Sequence, residues 1–166
     1  MKKRLSFLII FVFVCTVILS FSGCRAVGSD TKEKVFTKSG MVITLTSDFE
    51  EQEIVTQTAL YVSQKAIVTV LKEDGSAIPD YGIKDYAELV CRLNKLDDDK
   101  VVLKDGYAEF TYEKEVNGKD FYYYARCIKN GTDFWLIQFA CETKNAEAYA
   151  ETFDHWASSV RFVGKK

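Results

Sequence analysis

His155 is the only histidine in the 166 residues, so no mechanism that needs two imidazoles can run within one chain. It follows Asp154 directly, but a Ser/His/Asp relay needs the imidazole beside an activated hydroxyl, and no Gly-x-Ser-x-Gly turn occurs. A solvated helix residue is the better reading. Cys91, Cys127 and Cys141 come next, an odd number in the folded part and with no Cys-x-x-Cys. Zinc and thioredoxin-type chemistry therefore have no support. The run Asp97-Asp98-Asp99 could hold calcium if its loop wrapped an ion, but the alternating acids and central Gly of a calcium loop are missing. A solvated loop is expected there. No cofactor is implied.

The remaining chemistry is aromatic. Phe121-Tyr122-Tyr123-Tyr124, with Trp135 and Phe139, is dense enough to stack a sugar or a partner's side chain. Alternation puts Tyr122 and Tyr124 on one face of a strand, and Phe121 and Tyr123 on the other. An uncovered face would make Tyr122, Tyr124 and Trp135 a binding platform; a covered one makes them core, which is the favoured reading.

These residues need elements to position them. Met41–Leu45 reads as a strand after a Ser39-Gly40 turn, followed by strands at 59–63 and 66–72. Asp74-Gly75 ends the third, and Pro79 lies in a loop. Residues 84–96 read as a helix with Tyr86, Val90 and Leu93 on its apolar face. Strands follow from Val101 and at 107–113, 120–128 and 134–142, with turns at Asn117-Gly118 and Asn130-Gly131. A second helix spans about 146–160, with Asn145 as N-cap and Tyr149, Phe153, Trp156 and Val160 as its stripe. Strands in hairpins with two separated helices predict an α+β fold, a central antiparallel sheet flanked by helices in an α/β/α layering. A turn centred on Asn130-Gly131 sets Cys127 opposite about Trp135 and Cys141 opposite about Phe121. That leaves the two thiols roughly 20 Å out of step, too far for a disulfide, which needs Cα atoms within about 7 Å. Cys91 could reach either of them from the first helix, but three small buried hydrophobes are favoured.

The first thirty residues are a different matter. Lys2-Lys3-Arg4 precedes an apolar run from Leu5 to Phe21, the pattern of an export signal, and Phe21-Ser22-Gly23-Cys24 closes it. That stretch resembles the lipobox of bacterial lipoproteins. The resemblance implies a diacylglyceryl thioether on Cys24, cleavage before it and a palmitate-bearing membrane anchor. The alternative is an uncleaved spanning helix with an incidental cysteine; both put the rest of the chain outside the cell. Two acyl chains hold firmly where one binds marginally. Residues 1–23 are then signal, 24–34 a polar tether and 35–166 one domain. Cleavage lowers the basic residues from 22 to 19 against 24 acidic ones, a balance of −5. No basic stripe remains for nucleic acid.

The stretches GMVITLTSDF (40–49), YAELV (86–90), FYYYA (121–125), FWLIQFACE (134–142) and FDHWASSVRF (153–162) resemble PsbP-like and DcrB-type proteins, the former named for an extrinsic subunit of photosystem II. The resemblance implies a central antiparallel sheet flanked by helices, and a binding or assembly module with no catalytic residues. The expected function is a non-enzymatic envelope lipoprotein on the extracytoplasmic face of the cell membrane, held in the bilayer through Cys24, with an envelope protein as partner. A receptor for a small molecule or glycan using exposed aromatics is the alternative.

Overall fold

The computed structural model describes residues 32–164. Two strands, β1 (Glu33–Lys38) and β2 (Met41–Thr46), form a hairpin through Ser39-Gly40, and the short β10 (Arg161–Phe162) pairs with the other side of β2. The larger sheet contains β3 (Glu50–Gln52), β4 (Ala59–Val62), β5 (Ala66–Asp74), β6 (Val102–Leu103), β7 (Tyr107–Val116), β8 (Lys119–Asn130) and β9 (Asp133–Glu142). Its order is β3-β4-β5-β9-β8-β7-β6, with every neighbouring pair antiparallel. Two helices complete the domain, α1 (Ile83–Leu93) and α2 (Ala146–Ser158).

Each face of the large sheet has its own core, as the two-sided apolar content of β8 and β9 predicts. On one side α1 lays Tyr86, Ala87, Val90 and Cys91 against Phe110, Ala125, Cys127, Phe134 and Leu136. On the other, Phe153, Trp156 and Ala157 of α2 pack with Met41, Ile43 and Leu45 of the small sheet over Tyr61, Val68, Trp135, Ile137 and Phe139. The expected α+β layering is therefore present, with the small sheet sharing the second outer layer with α2.

Several details differ from the sequence expectation. The segment read as tether up to Lys34 already belongs to β1, because Glu33 and Lys34 pair with Thr46 and Leu45. Lys34 Nζ also donates to the Phe49 carbonyl at 3.1 Å. Leu93 is 49% exposed, since the buried face of α1 centres between Val90 and Cys91 and Leu93 falls on its flank. The β8–β9 turn is centred between Gly131 and Thr132, one position on. Cys127 thus faces Leu136, and Cys141 faces Tyr122. A slip of one residue exchanges faces, so Cys127 and Cys141 lie on opposite sides of the sheet, a stronger bar to a disulfide than distance along the strand. Gly75, which ends β5, fits where no side chain would, for a Cβ there would lie 2.2 Å from the Thr132 carbonyl oxygen.

Candidate functional site

The aromatic platform does not form as an open surface. Trp135 is 1% and Tyr124 8% exposed, because α2 and the small sheet cover the face they occupy. Trp135 packs on Phe162, with ring centroids 5.1 Å apart. Tyr122 is half-buried, its ring parallel to that of Phe153. On the opposite face Tyr123 stacks on Tyr112 at 4.6 Å, and Gln138 Nε2 donates to the Tyr112 hydroxyl at 2.8 Å. Trp135, Tyr124 and Tyr123 are core, while Tyr122 is only partly covered. Cys24 lies outside the described residues.

The other candidates assemble no reactive centre. The imidazole of His155 is exposed, 3.7 Å from Glu33. Cys91, Cys127 and Cys141 are all free and buried. Burial pushes the Cys91 thiol up to about 12 and that of Cys141 up to about 11, so neither is a ready nucleophile. Asp98 pairs with Arg92 at 3.3 Å, while Asp99 beside Asp97 raises the pKa of the latter. Among the described residues no group of three or more His, Cys, Asp or Glu side chains is arranged to hold a metal ion.

Two polar clusters escaped the sequence reading. Arg126 is buried on the α2 side of β8, its guanidinium 4.0 Å from the ring centroid of Tyr107. Nη2 donates to Asp154 at 2.7 Å and to the Tyr124 hydroxyl at 2.5 Å; Nη1 donates to Ser158 at 3.2 Å. Tyr124 in turn donates to Glu109 at 2.6 Å. One cation thus ties β7, β8 and α2 together, and Asp154 is bound to it rather than merely solvated beside His155. The available signal was an arginine at an inward position between Ala125 and Cys127. The second cluster is Glu73, buried at the end of β5, which accepts from the Tyr86 hydroxyl at 2.5 Å. Tyr86 stacks on Phe134 at 4.5 Å. Burial raises the Glu73 pKa, partly offset by that hydrogen bond. Alternation along β5 placed Glu73 with Leu71 on the α1 face, which was readable.

An open concavity among the described residues lies at the margin of the large sheet. A cleft of about 540 Å³ runs beside β7, walled by Lys95, Asp97 and Lys100 of the segment after α1. Leu96 lines it from the same segment, and the remaining lining residues come from both sides of the sheet, with Phe110 and Tyr112 on the α1 face and Thr111, Glu113 and Tyr122 on the α2 face. The cleft therefore wraps round a strand edge instead of entering a core. Its lining is part polar and part apolar, with aromatic rings and charge of both signs.

Solved structures with this arrangement exist. The solution structure of cyanobacterial PsbP (CyanoP) from Synechocystis sp. PCC 6803 matches with a TM-score of 0.52 and 10% identity, over 86% of this chain and 99% of that one. The Saccharomyces cerevisiae Ran-binding protein Mog1p matches with a TM-score of 0.56 and 10% identity, over 81% and 97%. A Bacteroides thetaiotaomicron crystal structure gives 0.58 and 14%, over 81% of this chain but 49% of the other. No protein-family model matches the chain, and no curated protein matches it in sequence. The likeness is one of fold, which is PsbP/Mog1-like: a seven-stranded antiparallel sheet, a small sheet and two helices.

Proposed function

We propose that this chain is a lipid-anchored envelope protein whose domain acts by holding a protein partner close to the membrane, without catalysis. The observation that carries this reading is where the aromatic residues went. Trp135 and Tyr124, which a glycan or small-molecule receptor would display, are inside, and Tyr122, the third of that set, reaches a cleft along a strand edge where charged side chains stand beside it. The fold also serves a Ran-binding protein in yeast, so protein recognition lies within its repertoire.

Anchorage rests on Phe21-Ser22-Gly23-Cys24. From Cys24 to the start of β1 at Glu33 is nine residues, a reach of at most about 30 Å. A domain on that leash stays beside the bilayer. Labelled palmitate is expected on the wild-type chain and lost in Cys24→Ala; equal label on both, or none on either, overturns the anchor. For the domain, photo-crosslinkers placed round its surface in intact cells should capture one recurrent envelope protein. Capture of nothing from any position refutes the interaction role.

A further inference from the structure

The strand β7 is ten residues long, yet β6 covers only its beginning, with Val102 opposite Glu109 and Leu103 opposite Ala108. Beyond Glu109 the strand runs on to Val116 with β8 on one side and, among the described residues, no strand on the other. The direction of its backbone groups follows from the turn. Asn117 and Gly118 both have left-handed φ, 53° and 77°, the requirement of a two-residue I′ hairpin. Such a turn closes on a hydrogen-bonded pair, here Val116 and Lys119. Alternation then aims the N–H and C=O groups of Lys114, Tyr112 and Phe110 at β8, and those of Glu115, Glu113 and Thr111 outward. The same parity holds nearer the start of the strand, where the Tyr107 carbonyl accepts from Lys104 on the outward side at 2.8 Å.

The side chains define what this edge would accept. Thr111, Glu113 and Glu115 are exposed on the α2 face of the strand, in line with Glu109. A second copy added antiparallel would bring both sets of glutamates together on one face, and like charges across a strand pair are destabilising. Self-association is thus disfavoured, the usual protection of an open edge. A strand with Lys or Arg at every second position would instead meet Glu113 and Glu115 on that face. Its alternate residues would meet Phe110, Tyr112, the ammonium groups of Lys95 and Lys100 and the carboxylate of Asp97 on the other. An uncharged residue such as Thr suits those positions.

We propose that the outer edge of β7 from Thr111 to Glu115 takes an extended segment of the partner protein as an eighth strand, one bearing basic side chains at alternate positions. This rests on the interaction role proposed above and names its surface. Main-chain hydrogen bonds supply the attachment, and the carboxylates select the sequence.

The probe is a ten-residue peptide alternating Lys with Thr, added to the full chain held in detergent, with amide hydrogen exchange as readout. Exchange at Thr111, Glu113 and Glu115 should slow about tenfold or more at saturation, and a peptide with Glu in place of Lys should bind at least about tenfold more weakly. Thr111→Pro removes one outward N–H and leaves the β8 ladder intact, as edge strands tolerate proline; it should abolish the protection. The double variant Glu113→Lys, Glu115→Lys touches only exposed side chains and should reverse the preference between the peptides. Protection elsewhere on the domain, equal binding of both peptides, or a peptide-independent dimer through β7 overturns the proposal. In cells, a Thr111→Pro chain that still captures the wild-type partner sinks the edge and spares the interaction role. A wild-type chain that captures nothing sinks the role itself.

Discussion

At Glu73 the chain keeps a carboxyl group buried between β5 and α1, with the Tyr86 hydroxyl as its hydrogen-bond donor. Burial holds its folded pKa above the ordinary 4.5, so the folded state binds the proton more tightly than the unfolded chain does. Its contribution to stability is full below about 4.5 and is lost as the pH rises through the raised value. Glu73→Gln keeps an acceptor for Tyr86 and removes that titration. Denaturant midpoints of the variant should therefore exceed those of the wild type at pH 7, converge with them near pH 4, and lose the downward slope just above 4.5. Tyr86→Phe should cost about 1–3 kcal/mol, because a buried acceptor loses its donor. Tyr61 is the opposite case. Its hydroxyl is buried without a hydrogen-bond partner among the described residues, and burial pushes its pKa up to about 12. Tyr61→Phe should be neutral or raise the thermal midpoint.

Between elements, Arg126 links β8 to α2 through hydrogen bonds to Asp154 and Ser158. Arg126→Ala should destabilise by about 3–5 kcal/mol, since it leaves Glu109 and Tyr124 without their cation in a covered site. Asp154→Asn should cost less than about 1 kcal/mol. Its side chain is 63% exposed, where ion pairs contribute little. Urea titrations of the two variants separate these cases. Most elements were legible from the sequence because their signals were local: Asn117-Gly118 marked the β7–β8 turn, and the Tyr149–Phe153–Trp156 spacing marked α2. What escaped depended on partners distant in the chain. β1 is polar except for Val35 and Phe36 and is a strand only because β2 pairs with it. β3 (Glu50–Gln52) is wholly charged or polar and is held by β4. Arg126 stands in a mostly apolar stretch of β8, and only the fold supplies its partners Glu109 and Asp154. The β7 edge escaped for a like reason, since no local pattern says that β6 stops after two residues.

For the molecule as a whole, the cysteines give one count that tests topology and processing together. Cys91 and Cys127 sit in the core under α1 and Cys141 in the core under α2. The folded protein taken from membranes should show no rapid thiol reaction at pH 8. After denaturation three thiols should titrate: Cys15 would have left with the leader, and Cys24 would be blocked as a thioether. Five thiols would mean an unprocessed chain, and one would mean a disulfide that this fold does not make.

The position of β9 sets the order in which the sheet can be completed. β5 waits for a partner 59 to 75 residues further along, pairing Ala66 with Cys141 and Asp74 with Asp133. β3, β4 and β5 form one meander and β6 to β8 another, and only the ninth strand joins them. A ribosome releases the N-terminal part first, so a nascent chain that has reached the end of β8 but not Asp133 holds the two meanders without the strand that pairs with both. Completion of the large sheet is therefore deferred until that ninth strand emerges.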